Sequence, residues 1–350
     1  MGQKVRTLIV ATSRKTQGGI TTVLNEHESS AYWAKYECVW IETHINKQFI
    51  HKLWYVTKAL LKYLFIVYKY KIVHIHTSEP PSALRKLPFT FIAKLFNKKV
   101  IIHLHSFSPD TTVNSKWGFL YRIHSACADK VILLSQQAQK EFCGTNIPLE
   151  KSAIIYNPCS AKPLNQGISQ EKIILYAGAL NSRKGYKDLI EAFATIATRH
   201  PEWRVVLAGS GEMEQAQEIA RNCGIASQIE LPGWITGEEK DALFSKASIF
   251  CLPSYAEGFP MAVLDAWGYS LPVITTPVGG LPDVLVDGEN ALVFTPGDTE
   301  RLAAHIDLLI TNEELRRRIA DNSHTLATTK FSMSAISNDI EHLYQNILNQ

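Results

Sequence analysis

The sequence lacks a long apolar run: no window approaches the 18 uncharged apolar residues expected of a membrane-spanning helix. The apolar run near the N-terminus is too short for a secretory signal peptide and is better explained as a first strand. The six cysteines show no C-x-x-C spacing, so neither a zinc ribbon nor a disulfide framework is indicated. We therefore expect reduced thiols, a cytoplasmic protein and no metal ion.

Two further signatures are missing. The turn Gly209-Ser210-Gly211 is not the dinucleotide fingerprint, because the third glycine of that motif would fall on Glu214. No D-x-D cluster occurs either. We therefore expect no bound cofactor and no essential metal.

Acidic residues are scarce in the first half of the chain. The 350 residues are enough for two domains of ordinary size, each with its own core. Residues 1–160 carry 21 Lys and Arg against 9 Asp and Glu, whereas residues 161–350 carry 15 against 24. Between residues 43 and 109 there are eleven basic residues and one acid, Glu79. The two halves therefore have different electrostatic tasks.

A helix predicted over about 52–70 carries two different stripes. The first, assigned to the core, contains Leu53, Val56, Leu60, Leu64 and Val67. The second, assigned to the surface, contains Tyr55, Lys58, Lys62, Phe65 and Lys69. Basic and aromatic residues alternate in this way on helices that rest on an anionic membrane, here the inner leaflet. An ordinary solvated basic face explains the pattern equally well.

Apolar runs of strand length alternate with helical segments, which predicts an α/β fold in two parts. Predicted strands of the first part lie at 6–11, 36–42, 71–76, 99–105, 130–135 and 152–157, and those of the second at 172–178, 204–209, 247–252 and 288–296. Predicted later helices lie at 189–198, 300–327 and 331–348. The polar run 160–170 reads as the linker between the two parts.

The most informative stretch is 253–260, P-S-Y-A-E-G-F-P, which follows a strand and precedes a helix. Pro260 suits the first position of that helix, because proline lacks the N–H that would be unpaired there. Glu257 lies on the loop, and Asp265 lies about two helical turns further on. The helix N-terminus favours a phosphate, so the loop could hold both a phosphate and a polar sugar. Taken alone, however, the two carboxylates are more typical of an ordinary helix start.

Residues 253–284, PSYAEGFPMAVLDAWGYSLPVITTPVGGLPDV, resemble the signature of the family 4 retaining glycosyltransferases. The chain departs from that pattern where Asp265 and Asp283 replace glutamates and Pro260 replaces a glycine. The resemblance implies the GT-B fold: two Rossmann-like domains facing across a cleft, with the last helix crossing back to the first domain. It is strong from about 172 to 296, and the first half matches only in outline.

The resemblance also implies roles for individual residues. Glu257 would bind hydroxyls of the donor sugar, Asp265 the ribose diol, and Lys184 the donor diphosphate. The family's arginine position is Ala179, and we hypothesise that Arg183 supplies the missing charge. His105, at the end of a strand, would contact the donor sugar, whereas His74, His76 and His103 are more typical of structural histidines. The catalytic residues implied are Glu257, His105 and Lys184.

Further donor-binding positions come from glycine turns and loop backbone. They are Gly18, Gly19, Gly178, Gly209, Gly211, Trp234, Ile235, Gly258, Phe259, Met261 and Ala262. Trp234 and Ile235 belong to the segment whose backbone, in the family, lies against the nucleotide base. The base itself is not predicted by such contacts.

The sequence thus predicts an acceptor-binding domain at 1–160, a nucleotide-sugar-binding domain at 171–330 and a returning helix at 331–350. The implied function is metal-independent, retaining transfer of a hexose from a nucleoside diphosphate sugar to a lipid-linked or oligosaccharide hydroxyl, in polysaccharide synthesis. Two alternatives stay open: a nucleotide-sugar epimerase of the same architecture, and a non-catalytic binder of an anionic surface or nucleic acid. The second is less favoured because it leaves the phosphate loops unexplained, so we expect no nucleic-acid partner.

Overall fold

The computed structural model describes residues 5–46, 48–144, 147–162 and 170–350. The chain divides into two compact units, of which the first is Met1–Pro158 with Met333–Gln350 and the second is Cys159–Ser332. Residues 163–169 of the predicted linker lie outside the described residues. Each unit contains a six-stranded sheet in which the paired strands are parallel.

The sheet of the first unit has the strand order β2-β1-β3-β4-β5-β6. Its strands are β1 Thr7–Ala11, β2 Val39–Glu42, β3 Ile72–Thr77, β4 Lys99–Leu104, β5 Lys130–Leu133 and β6 Ser152–Ile154. Its helices before the second unit are α1 Gly19–Glu28, α2 Ala31–Lys35, α3 Phe49–Ile66, α4 Pro80–Leu95, α5 Gly118–Cys127 and α6 Gln136–Cys143. The carboxyl ends of parallel strands lie at one edge, where α/β proteins bind ligands.

The sheet of the second unit has the order β12-β11-β10-β7-β8-β9. Its strands are β7 Ile173–Ala177, β8 Arg204–Ala208, β9 Ile229–Gly233, β10 Ile249–Leu252, β11 Val273–Thr275 and β12 Leu292–Val293. Its helices are α7 Tyr186–Ala194, α8 Met213–Asn222, α9 Gly237–Lys246, α10 Met261–Gly268, α11 Thr299–Thr311 and α12 Glu313–Thr328. Strands β7 and β10 are neighbours, so the loops that follow them lie side by side.

The last helix, α13 (Met333–Leu348), packs into the first unit, as predicted. Its buried residues are Ile336, Ser337, Ile340, Leu343, Tyr344 and Ile347. The apolar members join a core cluster that covers one face of the first sheet and includes Ile9, Ile72 and Ile101. Val73 and Val100 belong to the cluster on the opposite face, because side chains alternate along a strand.

The predicted core stripe of α3 is wrong in two members. Leu53 is 56% exposed and Leu64 is 42% exposed, whereas Ala59, Tyr63 and Val67 are buried. Tyr63 fixes the inward side, since its ring packs 5.1 Å from that of Phe89 on α4 and its hydroxyl donates to the Phe89 carbonyl. The helix is apolar on more than one side, so periodicity alone could not select the buried face.

Other predicted boundaries also change. The single helix predicted at 300–327 is two helices, because the Asn312 side chain accepts a hydrogen bond from Leu315 N and starts α12. Pro260 is the N-cap of α10, and Met261 is the first helical residue. Helix α7 begins three residues earlier than predicted and ends at Ala194. The predicted strand 288–296 contains only the short strand β12. Across the described residues, no helix combines the length and apolarity required to span a bilayer.

Candidate functional site

Two loops of the second unit bring Lys184 and Glu257 into direct contact. Lys184 follows β7 and Glu257 follows β10, and their side chains meet with Nζ 2.5 Å from Oε1. The Ser254 hydroxyl donates to the same carboxylate oxygen over 2.6 Å. The Glu257 side chain is only 6% exposed and that of Lys184 16%, so water screens the pair weakly. The sequence predicted both residues as site members but not their ion pair.

Gly185 allows the two loops to approach this closely. Its φ is +68°, and a Cβ added there would lie 1.9 Å from the Pro253 carbonyl oxygen. The backbone N–H of Tyr255 donates to the Arg183 carbonyl over 2.8 Å, which joins the loops next to the ion pair. Gly185 is therefore a structural member of the site that the sequence prediction omitted. The sequence signal for it was its position directly after Lys184.

Arg183 lies beside Lys184 but is exposed, and its Nη1 donates to the Ala256 carbonyl over 3.2 Å. It borders a depression of about 490 Å³. The lining residues are Ser182, Arg183, Gly185, Lys187, Asp188 and Tyr255. The Tyr255 hydroxyl donates to Asp188 Oδ2 over 2.8 Å and so fixes one wall of the depression. A second cation thus lies next to the Lys184–Glu257 pair, on the same loop.

The predicted glycine turns lie at the ends of β7 and β8. Gly178 N donates to the Ala208 carbonyl, and a Cβ on Gly209 would lie 1.7 Å from the Gly178 carbonyl oxygen. Gly211 is equally crowded, since its added Cβ would lie 2.3 Å from the Leu180 carbonyl oxygen. The segments that follow β7 and β8 are therefore in backbone contact, and no side chain fits at Gly209 or Gly211. Trp234, which follows β9, is 37% exposed, and its neighbour Ile235 is half-buried.

The residues around the start of α10 divide into core and surface. Phe259 is buried, with its ring 5.4 Å from that of Phe331, so its side chain is a core residue. Gly258 accepts a hydrogen bond from Gly280 N over 2.7 Å. Met261 and Ala262 form the first turn of α10 and are half-buried, so their amides lie where the helix dipole favours an anion.

Asp265, predicted to bind a ribose, lies on α10 and pairs with Lys240 of α9. The distance from Lys240 Nζ to Asp265 Oδ1 is 2.7 Å, and both side chains are about one quarter exposed. Lys240 was absent from the prediction, since the motif contains no signal for it. Any diol bound by Asp265 shares that carboxylate with a cation.

In the first unit, Gly18 and Gly19 lie at the N-terminus of α1, and Gly18 is its N-cap. Gly18 has φ +149°, and a Cβ at either glycine would meet no atom within 4 Å. Both glycines are exposed, and their role in donor binding stays a prediction.

Four histidines form a column on one face of the first sheet, with His74 and His76 on β3 and His103 and His105 on β4. His76 lies opposite His103 in the strand register. Neighbouring rings are 4.1 to 5.4 Å apart, and His76 Nδ1 lies 2.8 Å from His105 Nε2. His74 Nδ1 lies 2.8 Å from the Tyr344 hydroxyl of α13. Burial lowers the pKa of His74 to about 3 and the pKa values of the other three well below their usual range, so the column is neutral near pH 7.

Nitrogens of His74, His76 and His103 lie within 4.8 Å of one another, which makes these residues a candidate metal-binding set. Two nitrogens bound to one zinc ion are at most about 4.2 Å apart, and the ion lies near the plane of each ring. The His74 ring is nearly parallel to those of His76 and His103, with interplanar angles of 21° and 15°. The rings would have to rotate to share an ion, so the present arrangement fits a stacked column better than a chelate.

Two family models together match most of the chain. The model described as Glycosyltransferase Family 4 matches residues 11–161, and the model described as Glycosyl transferases group 1 matches residues 162–325. Among solved structures, sucrose-phosphate synthase from Thermosynechococcus elongatus is similar, with a TM-score of 0.79, 18% identity and coverage of 99% of each chain. Anabaena HepE, solved with UDP-glucose, has a TM-score of 0.76, 18% identity and coverage of 97% of this chain and 99% of its own.

Curated relatives point the same way. The capsular polysaccharide biosynthesis glycosyltransferase CapM of Staphylococcus aureus is 24% identical over 84% of this chain and 82% of its own length. An uncharacterized glycosyltransferase of Methanocaldococcus jannaschii is 26% identical over 62% of this chain, and the match spans 60% of that relative's length. The fold, the family models and the similar solved structures together define the class of protein: the chain is a glycosyltransferase with the GT-B fold. The chain belongs to the family 4 glycosyltransferases, some of whose members act in polysaccharide biosynthesis.

Proposed function

We propose that the protein transfers a hexose from a nucleoside diphosphate sugar to an acceptor hydroxyl, with retention at the anomeric carbon. The observation that supports this most is the contact between Lys184 and Glu257. It sets a cation suited to phosphate beside a carboxylate suited to sugar hydroxyls. The complex of HepE with UDP-glucose supports a nucleotide sugar as the donor.

Catalysis then depends on charge at the diphosphate. Negative charge grows on the leaving phosphate oxygens as the glycosidic bond breaks, and cations already in place stabilise it. In our scheme Lys184, Arg183 and the amides of Met261 and Ala262 supply this stabilisation, and no metal ion or cofactor is required. The leaving phosphate takes the acceptor proton, so no protein base is assigned.

The remaining residues hold the donor. Glu257 accepts hydrogen bonds from sugar hydroxyls, and Asp265 binds the ribose diol alongside Lys240. The backbone of Trp234 and Ile235 lies against the base, and the glycine turns allow the nucleotide to approach the main chain. For Gly18, Gly19 and His105 of the first unit we keep the donor-binding roles that the family resemblance implies.

The roles of the two cations can be tested with single variants. Lys184→Ala should lower kcat/KM for the donor by about 10²- to 10³-fold, the loss typical of one preorganised charge or donor. If Arg183 replaces the arginine missing at Ala179, Arg183→Ala should also raise the donor KM strongly. An unchanged KM in Arg183→Ala would remove Arg183 from the scheme. Lys172→Ala is the matched control, because Lys172 is exposed and pairs with Glu202 before β7.

The reaction class is tested by product analysis. A panel of sugar nucleotides is first screened for thermal stabilisation, since a ligand that binds only the folded protein raises its melting temperature. The stabilising donor is then incubated with and without glycan and lipid-linked acceptors. Transfer that needs an acceptor and keeps the anomeric configuration supports the proposal. An isomerised sugar nucleotide released without acceptor would identify an epimerase instead, and full turnover by Glu257→Ala would refute the site.

We further propose that the acceptor is presented at an anionic membrane, on the cytoplasmic side, by what we call the α3–α4 surface. Its exposed apolar residues are Ile50, Leu53, Trp54, Leu61, Leu64, Phe65, Leu84, Phe91 and Leu95. On α3 they recur every three to four residues, so they form one stripe on the side away from Tyr63. An apolar stripe of this length on a monomer is typical of a binding surface.

Charge selects a membrane rather than a second protein as the occupant. Exposed lysines, including Lys58, Lys62 and Lys94, accompany the apolar stripe, and the only acid between residues 43 and 109 is Glu79. Each lysine near an anionic membrane surface contributes about 1 kcal/mol, and each inserted aromatic side chain about 1.5–3 kcal/mol. A lipid-linked acceptor would thereby be held close to the enzyme.

Flotation with vesicles of phosphatidylglycerol and phosphatidylcholine tests this surface. The wild type should float at low salt, and Trp54→Ser with Phe65→Ser should reduce binding more than tenfold. Lys58→Glu with Lys62→Glu should reduce binding to vesicles that contain phosphatidylglycerol, but not binding to vesicles of phosphatidylcholine alone. Phe119→Ser and Lys140→Glu are controls, since both residues are exposed outside this surface. Wild-type protein that stays at the bottom would end the membrane proposal without affecting the transferase proposal.

A further inference from the structure

We propose that His76, supported by His74 and Tyr344, is a positioning residue that fixes the ring and the tautomer of His105. This inference rests on the proposed function to the extent that His105 is taken to touch the donor sugar. The proposal adds three residues to the reaction, none of which contacts substrate itself. It also gives the last helix, α13, a part in catalysis besides its packing.

The geometry forms a connected chain along one sheet face. His105 Nε2 lies 2.8 Å from His76 Nδ1, and the two rings stack with centroids 5.0 Å apart. His76 stacks in turn on His74 at 4.3 Å, and His74 Nδ1 lies 2.8 Å from the Tyr344 hydroxyl. The three histidines are 1–9% exposed and Tyr344 is fully buried, so few other conformations are available to the rings.

Strand register brings the histidines together. Residues two apart on a strand share a face, which aligns His74 with His76 and His103 with His105. The register pairs His76 with His103, and His105 N donates to the Thr77 carbonyl. Since His105 is the last of the four along the sheet, it lies nearest the carboxyl edge, where parallel sheets bind ligands. The other histidines lie behind it, toward the interior of the strand.

The hydrogen bond between His76 and His105 has two possible directions, and burial selects one. A neutral imidazole carries one N–H, so either His105 Nε2–H donates to His76 Nδ1 or the reverse holds. His105 Nδ1 is buried and has no hydrogen-bond partner among the described residues. A buried N–H without an acceptor is rarer in proteins than an unpaired acceptor. His105 is therefore the Nε2–H tautomer, and it donates to His76.

This bond holds His105 against rotation about its side-chain torsions. Without the acceptor at His76 Nδ1, the buried Nε2–H would lose its partner, and the ring would turn or adopt the other tautomer. Small displacements of a positioned group are costly, since a shift of about 1 Å can lower a rate about 10²-fold. The loss should affect kcat more than donor KM, because the donor contacts proposed for Lys184, Glu257 and Asp265 stay intact.

Two replacements at position 76 separate positioning from packing. His76→Phe keeps an aromatic ring in the stack but removes the acceptor, and it should lower kcat tenfold or more with donor KM changed less than about threefold. His76→Asn restores an acceptor close to the position of Nδ1 and should recover most of kcat. Tyr344→Phe, which removes only a hydroxyl, should lower kcat by a smaller factor. Equal kcat in wild type and His76→Phe would overturn the proposal.

Nitrogen-15 NMR of the histidine side chains gives a readout that needs no activity. In the wild type at pH 7.5, His105, assigned by comparison with His105→Gln, should be the Nε2–H tautomer. His76→Phe should give a mixture, and His76→Asn should resemble the wild type. A wild-type His105 with its proton on Nδ1 would overturn the inference even if His76→Phe failed to fold. A protein that transfers no sugar but has the expected tautomers would refute the proposed function instead.

Discussion

At the scale of single residues, Gly185 allows the loops that carry Lys184 and Glu257 to approach each other closely. Its φ of +68° is unfavourable for other residues, and its missing side chain leaves room for the Pro253 carbonyl. The two loops that hold Lys184 and Glu257 meet only because both conditions are satisfied at one position. Backbone, and not only charged side chains, therefore determines the distance between the cation and the carboxylate.

Gly185→Ala should destabilise the protein by at least about 2 kcal/mol and lower donor affinity, because the new methyl group would force the loops apart. Gly224→Ala is the matched control: Gly224 has φ +74°, but a Cβ there meets no atom within 4 Å. It should cost only the backbone strain, about 1–2 kcal/mol, and leave donor binding unchanged. Urea unfolding and donor titration measure both effects. Equal stability and equal donor affinity in the two variants would contradict the close approach.

For the candidate site of the second unit, the sequence predicted individual residues but not the contacts between them. The motif gave Lys184 and Glu257, but nothing in a linear pattern specifies that a lysine 73 positions away contacts the carboxylate. The pairing of Asp265 with Lys240 was missed for the same reason. Phe259, predicted to bind the donor, has a buried side chain that packs on Phe331. Contacts between distant segments depend on strand order, which the residues of one loop do not encode.

At the scale of elements, β3 and β4 concentrate neutral histidines in the core of the first unit. Burial in a region of low polarity disfavours the charged imidazole and lowers the pKa of each. The unfolded chain binds protons at these residues below about pH 6.5, and the folded chain does so only at much lower pH. Stability is therefore fully present above about pH 6.5 and is lost as the pH falls below it.

His103→Leu should reduce this pH dependence. Each buried neutral histidine contributes a slope of up to about 1.4 kcal/mol per pH unit between its two pKa values, so the variant should lose the slope of about one proton. Urea unfolding at several pH values from 7.5 to 5 measures the slope. His342→Leu is the control, because His342 lies on the exposed side of α13. A wild-type slope in His103→Leu would mean that His103 is already charged or hydrated in the folded protein.

Helix α3 illustrates what periodicity can and cannot predict. Its existence and its basic stripe followed from the sequence, and Lys58, Lys62 and Phe65 are exposed as expected. Two members of the predicted core stripe, Leu53 and Leu64, are exposed instead, because apolar residues occupy most of the helix and only contact with α4 distinguishes one side from another. The error matters for function, since the residues assigned to the core are among those now proposed to touch a membrane.

At the scale of the whole molecule, the fold class was predictable and the strand order was not. Alternating strands and helices with a second start near residue 172 indicated two α/β units, and the family motif named the GT-B fold. The return of the last helix to the first unit was implied by that resemblance and is confirmed by the burial of α13. The first unit is therefore built from two segments of chain that are far apart in sequence.

A chain that ends at residue 332 should consequently lose the first unit and retain the second. Truncation takes five buried residues out of the core, namely Ile336, Ile340, Leu343, Tyr344 and Ile347. Five such residues contribute roughly 7–15 kcal/mol, comparable to the whole stability of a domain. Calorimetry of the shorter chain should show one cooperative transition, that of the second unit. The nucleotide should still raise the temperature of this transition. A chain ending at Leu348 is the control and should match the wild type. Retention of a folded first unit in the shorter chain would show that α13 is not part of its core.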